Sequence, residues 1–218
     1  VDSLVGSEMC IRDSWNGTLI DDAQLCVDIV NSILKANDLR PVNLDFYRNN
    51  FCFPVSTYYH LIGLTEPRYD LSEISKTFIT NYRKRSSDLS LQPFSVDTLS
   101  FIQQLGIQQS VLSAGLQSDV EHFLNSYDLA RFMVHVSGVD NVNAEGKEAL
   151  ALGHLSKTAC DPEEVLLVGD TMLDDKIAHL LSVNGLLVTN GHNSPQALSN
   201  SKSSRIPSLA HFPSWLHC

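Results

Sequence analysis

Residues 165–168 read Val-Leu-Leu-Val and are followed at once by Gly169 and Asp170. Successive residues of a strand point to opposite faces, so a strand with no polar position is buried on both. Where strands of this kind alternate with helices, they imply a parallel sheet covered on both faces, an α/β architecture. The rest of the C-terminal half fits. A helix is expected from Val96 to Leu105, a strand at Ser110-Val111-Leu112, and a helix carrying Val120, Phe123, Leu124 and Tyr127. A weaker strand follows at Phe132 to Val136, then a helix from Gly146 to Leu155. After the Val165 strand come a helix from Asp174 to Ser182 and a strand from Gly185 to Val188. The polar stretch Ser199 to Ser204 reads as loop.

The N-terminal half has a different grammar. Leu25, Cys26, Ile29, Val30, Ile33 and Leu34 recur at helical spacing, and Asp21 and Asp22 suit that helix's start. Asn43 caps a second short helix toward Phe51. Phe53-Pro54 opens a third through Tyr58, Tyr59 and Leu61, and a fourth runs from Leu71 to Arg85. Four helices without a strand between them read as an insertion into an α/β domain. Insertions beside a site often serve as lids.

Composition excludes several classes. The 218 residues suffice for one sizeable domain, or a core with a smaller insert. A net charge of −10 argues against a nucleic-acid or anionic-membrane partner. Five cysteines without a CxxC read as free or buried thiols of a reducing compartment, and the protein is expected to be cytoplasmic. No apolar run has the length of a membrane span, and no signal peptide is visible. The oligomeric state is not legible.

Four short signals follow in order. Asn16-Gly17-Thr18-Leu19 is a tight turn with small donors. Ser113, with Ala114 and Gly115 behind it, follows a strand, where a hydroxyl and exposed amides can hold a phosphoryl oxygen. In isolation a helix-capping Ser is the commoner explanation of that position. Lys147 stands at a helix start, against the helix dipole. Gly169-Asp170-Thr171-Met172-Leu173-Asp174 places two carboxylates four apart at a strand's carboxyl end, where they can hold a hard cation such as Mg²⁺. Helix capping by Asp174 is the competing account.

The order and spacing of these signals resemble the haloacid dehalogenase superfamily of phosphohydrolases. Within it the chain is similar to the phosphoglycolate-phosphatase-like branch, where Asp-Trp-Asn-Gly-Thr-Leu and a helical cap are familiar. Gly191-His192-Asn193-Ser194 is similar to a feature of that branch. The resemblance spans Trp15 to Ser194. It implies a Rossmann-like parallel sheet core, residues 15–20 and 90–218, with an inserted α-helical cap of the C1 type, residues 21–89. It implies a Mg²⁺-dependent phosphatase that cleaves a small phosphorylated metabolite, phosphoglycolate-like, through an aspartyl-phosphate. Ser113 would bind the phosphoryl group and Lys147 would neutralise it. Asp170, Asp174 and the backbone carbonyl of Asn16 would serve the metal, while Gly17, Thr18, Ala114 and Gly115 would supply backbone contacts.

Two positions depart from the pattern. The nucleophilic Asp should stand at position 14, where the chain has Ser14, and the acid–base position holds Asn16, which cannot shuttle a proton. Asn16 is usual in the branch and argues against a phosphomutase. Residues 3–14, Ser-Leu-Val-Gly-Ser-Glu-Met-Cys-Ile-Arg-Asp-Ser, resemble a translated transposon-end sequencing adapter. Residues 1–14 are therefore expected to be non-native, Ser14 being what such an adapter leaves of an Asp codon, and the chain as it stands is expected to be impaired. The same position leaves open a non-catalytic phosphate-binding or regulatory protein. Dehalogenase chemistry is disfavoured by the paired Asp170 and Asp174, and phosphonatase chemistry would need a cap Lys, for which Lys35, Lys76 and Lys84 show no distinguishing feature. Tyr58, Tyr59 and His60 could face the site, though packing explains the tyrosines. Lys76, Arg83, Lys84 and Arg85 could attract an anionic substrate or lie on a solvated helix end.

Overall fold

The computed structural model describes residues 10–13, 15–140, 147–157 and 160–217, with backbone alone at 10–13 and 88. Ser14, on which the nucleophile position falls, lies outside these residues. Six parallel strands form one sheet in the order β5-β4-β1-β6-β7-β8. They are β1 (Cys10–Asp13), β4 (Gln108–Leu116), β5 (Met133–Val139), β6 (Val165–Gly169), β7 (Asn184–Val188) and β8 (Ser204–Ile206). The apolar run that anchors the sequence reading is β6, and all five of its residues are buried. This is a Rossmann-like α/β core. Its helices are α5 (Ser95–Gln104), α6 (Gln117–Ser126), α7 (Lys147–Leu155), α8 (Met172–Leu180) and α9 (Phe212–Leu216).

The adapter-like segment supplies β1, the strand between β4 and β6. Asp13 stands in register with Val111 on one side and Val168 on the other. A central slot in a parallel sheet offers backbone partners on both edges, and that pairing asks little of side-chain identity.

A second ribbon of two short strands, β2 (Ile20–Asp21) and β3 (Ser90–Leu91), pairs antiparallel. Between them run α1 (Ala23–Ala36), α2 (Leu44–Asn50), α3 (Val55–Leu61) and α4 (Leu71–Arg85). The ribbon is thus the stem through which the chain leaves the core and returns. α1 buries Leu25, Cys26, Ile29, Val30, Ile33 and Leu34, the residues of its apolar stripe. Asn43 caps α2 by accepting a hydrogen bond from Phe46 N, and Asp70 caps α4 at Ser72 and Glu73.

Three local expectations are corrected. Ser113 is no helix cap, because β4 runs on to Leu116 and α6 begins at Gln117. The stretch from Ser199 is not all loop, since Ser204–Ile206 pairs with β7 at the sheet edge, where one face can stay polar. Cys26 and Cys52 are free thiols but Cys160 is disulfide-bonded, because spacing in sequence does not show which side chains the fold brings together. Among the described residues no helix is long and apolar enough to cross a membrane.

Candidate active site

Strand order reverses around β1, whose neighbours β4 and β6 are far apart in sequence. Ligands of open α/β sheets bind at the carboxyl ends of strands at such a point. The four sequence signals converge there. Asn16, Ser113, Ala114, Gly115, Lys147 and Asp170 all line one cavity of about 180 Å³.

The loop after β1 is closed by its own backbone, with Leu19 N and Ile20 N both donating to Trp15 O, at 3.1 and 3.2 Å. Gly17 takes φ +74°, and a Cβ there would run into the Asp170 carboxylate and the His192 ring. Only glycine meets both demands. Thr18 is fully buried, and its hydroxyl donates to Asp170 Oδ1 at 2.9 Å. Thr18 therefore acts through its side chain as well as its backbone, tying the first loop to the β6 loop.

Asp170 accepts on both oxygens, from Thr18 Oγ1 and from His192 N at 2.6 Å. Burial pushes its carboxyl up to about 6, with the Asp174 charge adding to the rise against His192 and Thr18. Asp174 sits in a different environment. Its Oδ2 accepts from Thr171 N, Thr171 Oγ1 and Asp170 N, and its Oδ1 pairs with Lys147 Nζ at 2.7 Å. Burial acts to raise its pKa, yet the Lys147 charge and these hydrogen bonds hold it below the usual carboxylate range. Capping and site chemistry, set against each other in the sequence, are thus combined: Asp174 closes the N-terminus of α8 in a capping box with Thr171 and also anchors the lysine. Lys147 is buried, so its awkward position for the helix dipole is offset by a direct ion pair.

Ser113 is buried, and its Oγ accepts from Gly115 N at 2.9 Å. A ligand oxygen at Ser113 must share or displace that bond. Ala114 and Gly115 are half-buried on the cavity wall.

A second, equally buried cluster centres on Asp22 and His192. Asp22 stands at the N-cap of α1, as its sequence indicates, but its side chain makes no capping bond there. Its Oδ1 accepts from Gly17 N at 3.0 Å and lies 3.1 Å from His192 Nε2. Its Oδ2 accepts from Asn16 Nδ2 at 2.7 Å and from the Tyr82 hydroxyl at 2.8 Å. His192 Nδ1 meets the Tyr47 hydroxyl at 2.9 Å. Burial opposes both charges, but each sustains the other: Asp22 is held below its usual range and His192 is raised to about 9. Two tyrosines of the helical insertion, Tyr47 on α2 and Tyr82 on α4, thereby reach into the core's loops. The traces of this cluster were the doubled Asp21-Asp22 and the Gly191-His192 pair. Neither has a spacing that tells a ligand from a cap.

Tyr58 and Tyr59 are buried and line the cavity, so they both pack and face it, whereas His60 is exposed. The basic residues of α4 are spent on surface pairs: Lys76 with Glu73, Arg83 with Asp119 and Arg85 with Asp28. Lys84 is exposed.

Three buried carboxylates, Asp22, Asp170 and Asp174, face two buried cations, Lys147 and His192. Asp174 and Asp22 have their partners. Among the described residues Asp170 has hydrogen bonds but no salt bridge, and its burial, which outweighs the opposing charge of His192, is what raises its pKa. An oxygen-only donor in that state suits a hard divalent cation. Asp22, Cys26 and His192 also place ligand atoms within 4.8 Å of one another. Their atoms are already engaged in the network just described.

A doubly covered parallel sheet with a Gly-Asp-Thr turn after its central apolar strand and a buried Lys–Asp pair defines a hydrolase of the haloacid dehalogenase type, and the chain belongs to the haloacid dehalogenase-like hydrolase family, whose model matches residues 16–188. Among curated relatives, a phosphoglycolate phosphatase of Agrobacterium fabrum is 25% identical over 183 residues, 81% of this chain and 78% of the relative. A haloacid dehalogenase-like hydrolase of Streptococcus pneumoniae superposes with a TM-score of 0.82 at 16% identity, covering 95% of this chain and 98% of that one. CbbY of Rhodobacter sphaeroides, solved with phosphate, gives 0.74 at 14% identity, covering 94% and 96%.

Proposed function

We propose that the chain is built as a Mg²⁺-dependent phosphatase of small phosphate monoesters. Asp170 carries the reading, as a fully buried carboxylate with no salt bridge among the described residues, on the cavity that also holds Lys147 and Ser113. Mg²⁺, held by Asp170 and the Asn16 carbonyl, with Asp174 supporting through its hold on the loop, would neutralise charge on the phosphoryl group. Lys147 brings a fixed positive charge to the same group. Ser113 Oγ and the amides of Ala114 and Gly115 orient its oxygens. Phosphoryl transfer depends chiefly on positioning and charge neutralisation, which is what this set provides.

The nucleophile belongs at position 14, and a Ser there cannot form an aspartyl-phosphate. Residues 1–14 are read as adapter-derived, and the native reading restores Asp. Residues 15–20 and 90–218 are read as the catalytic core and residues 21–89 as its cap. The β2–β3 stem and the reach of Tyr47 and Tyr82 into the site support that division. The phosphoglycolate in the relative's name is the first substrate to test.

Ser14 favours a second reading for the chain as it stands, a protein that binds phosphate without turnover. A phosphate-ester screen with Mg²⁺ on the Ser14→Asp chain decides between them. Hydrolysis that disappears with EDTA supports the phosphatase. A folded Ser14→Asp chain inactive across the panel leaves the binding protein.

A further inference from the structure

Beyond Lys147 and Asp170 the cavity changes character. Its outer wall is made by the helical insertion and α6, with Phe51, Phe53, Val55, Phe78 and Phe123 among its residues. Phe51, Phe53, Val55 and Phe78 are only half-buried, so they still have apolar surface to give to a ligand.

The charges on the described wall are equally specific. Its cationic side chains are Lys147 and His192. Lys147 is held at 2.7 Å by Asp174, and His192 at 3.1 Å by Asp22. The remaining charged group on the outer wall is Asp119, an acid, whose partner Arg83 is half-exposed. A substrate with a second anionic group, such as the carboxylate of phosphoglycolate, would carry it into an aromatic enclosure beside Asp119. A buried carboxylate without a partner is strongly disfavoured. An uncharged apolar or aromatic group in the same place gains contact area and ring stacking.

We infer that the substrate is a phosphate monoester whose organic part is uncharged and largely apolar or aromatic, seated on Phe51, Phe53 and Phe78, and not a small carboxylated phosphate. This rests on the phosphatase reading for the placement of the phosphoryl group. It adds that the helical insertion selects by apolar contact.

The test is calorimetric titration of the 218-residue chain in Mg²⁺ with inorganic phosphate, phenyl phosphate and phosphoglycolate. Phenyl phosphate is expected to bind at least about tenfold tighter than inorganic phosphate, since burying even a single methylene in an apolar pocket discriminates on that scale. Phosphoglycolate is expected to bind no tighter than inorganic phosphate. Phe78→Ser and Phe53→Ser should each erase most of the phenyl phosphate advantage and leave inorganic phosphate unchanged. Phosphoglycolate binding as tightly as phenyl phosphate, or an advantage indifferent to both substitutions, overturns the inference and leaves the phosphatase reading standing. Absence of binding by all three ligands overturns the inference, and the Ser14→Asp screen then decides the phosphatase reading by itself. The comparison of ligands on the unsubstituted chain stands even if a substituted one misfolds.

Discussion

Asp22 Oδ2 accepts a 2.7 Å hydrogen bond from Asn16 Nδ2, and this contact decides which way the Asn16 amide points. An ionised carboxylate has no proton to give, so the amide nitrogen must face it. The Asn16 side-chain oxygen Oδ1 is then turned the other way, toward Gly115, lying 3.7 Å from where a Cβ on that glycine would stand. Asn16 thus presents an acceptor to the Ser113–Gly115 end of β4. It can orient a water molecule but cannot take its proton.

Asp22→Asn removes that constraint and leaves the buried His192 without its counter-ion. Breaking a buried charge pair from one side costs roughly 3–5 kcal/mol. Urea unfolding at pH 7 should show a loss of this size. In a double-mutant cycle, His192→Asn should cost much less in the Asp22→Asn background than in the parent. Additive losses would mean that the pair carries no coupling.

The same pair sets a pH window. The folded pKa of His192, about 9, lies above its ordinary value of 6.5. Its contribution is therefore fully present below pH 6.5 and is lost as pH rises through about 9. Thermal melts of the metal-free chain from pH 6 to 10 should fall more steeply than those of His192→Asn. Parallel curves would contradict the charged pairing.

Gly17→Ala should destabilise the chain by more than about 1 kcal/mol, the scale of a conformational mismatch alone, because a Cβ at φ +74° also meets the Asp170 carboxylate. Gly106 has φ +75° but open space around a Cβ, so Gly106→Ala carries only the conformational part. Comparing the two in chemical denaturation separates strain from collision, and equal losses would exclude the collision.

Ser14→Asp should raise Mg²⁺-dependent hydrolysis by orders of magnitude, since removal of a covalent nucleophile costs on the order of 10⁶ in a protease precedent. Lys147→Met and Asp170→Asn, made in that background, should each abolish the gain. Retained activity in either would remove that residue from the site. Lys147→Met should also destabilise, because Asp174 then keeps a buried charge without its lysine.

Much of this architecture was legible in the order of the residues. Val165 to Val168 demanded a doubly covered strand, and the three-to-four spacing of Leu25 to Leu34 demanded a helix packed on one face; both are local patterns that burial reads directly. α4 begins and ends where its sequence indicates, from Leu71 to Arg85, because Asp70 caps one end and three basic residues close the other. The order of Gly17, Ser113, Lys147 and Asp170 along the chain likewise pointed to one site. The linear chain could not show that Asp22 would abandon a helix cap for Gly17, Asn16, Tyr82 and His192. Those partners lie up to 170 positions apart, and an Asp before a helix has the same local signature in either role. Nor could it show that Tyr47 and Phe78 would line one cavity with Asn16, Lys147 and Asp170, because the orientation of a helix over a sheet is decided by packing between elements. Local periodicity determined the main strands and helices, and the order of short motifs at strand ends marked where the cavity would form. Only the tertiary structure decided which buried charges pair and what surface the organic part of a substrate would meet.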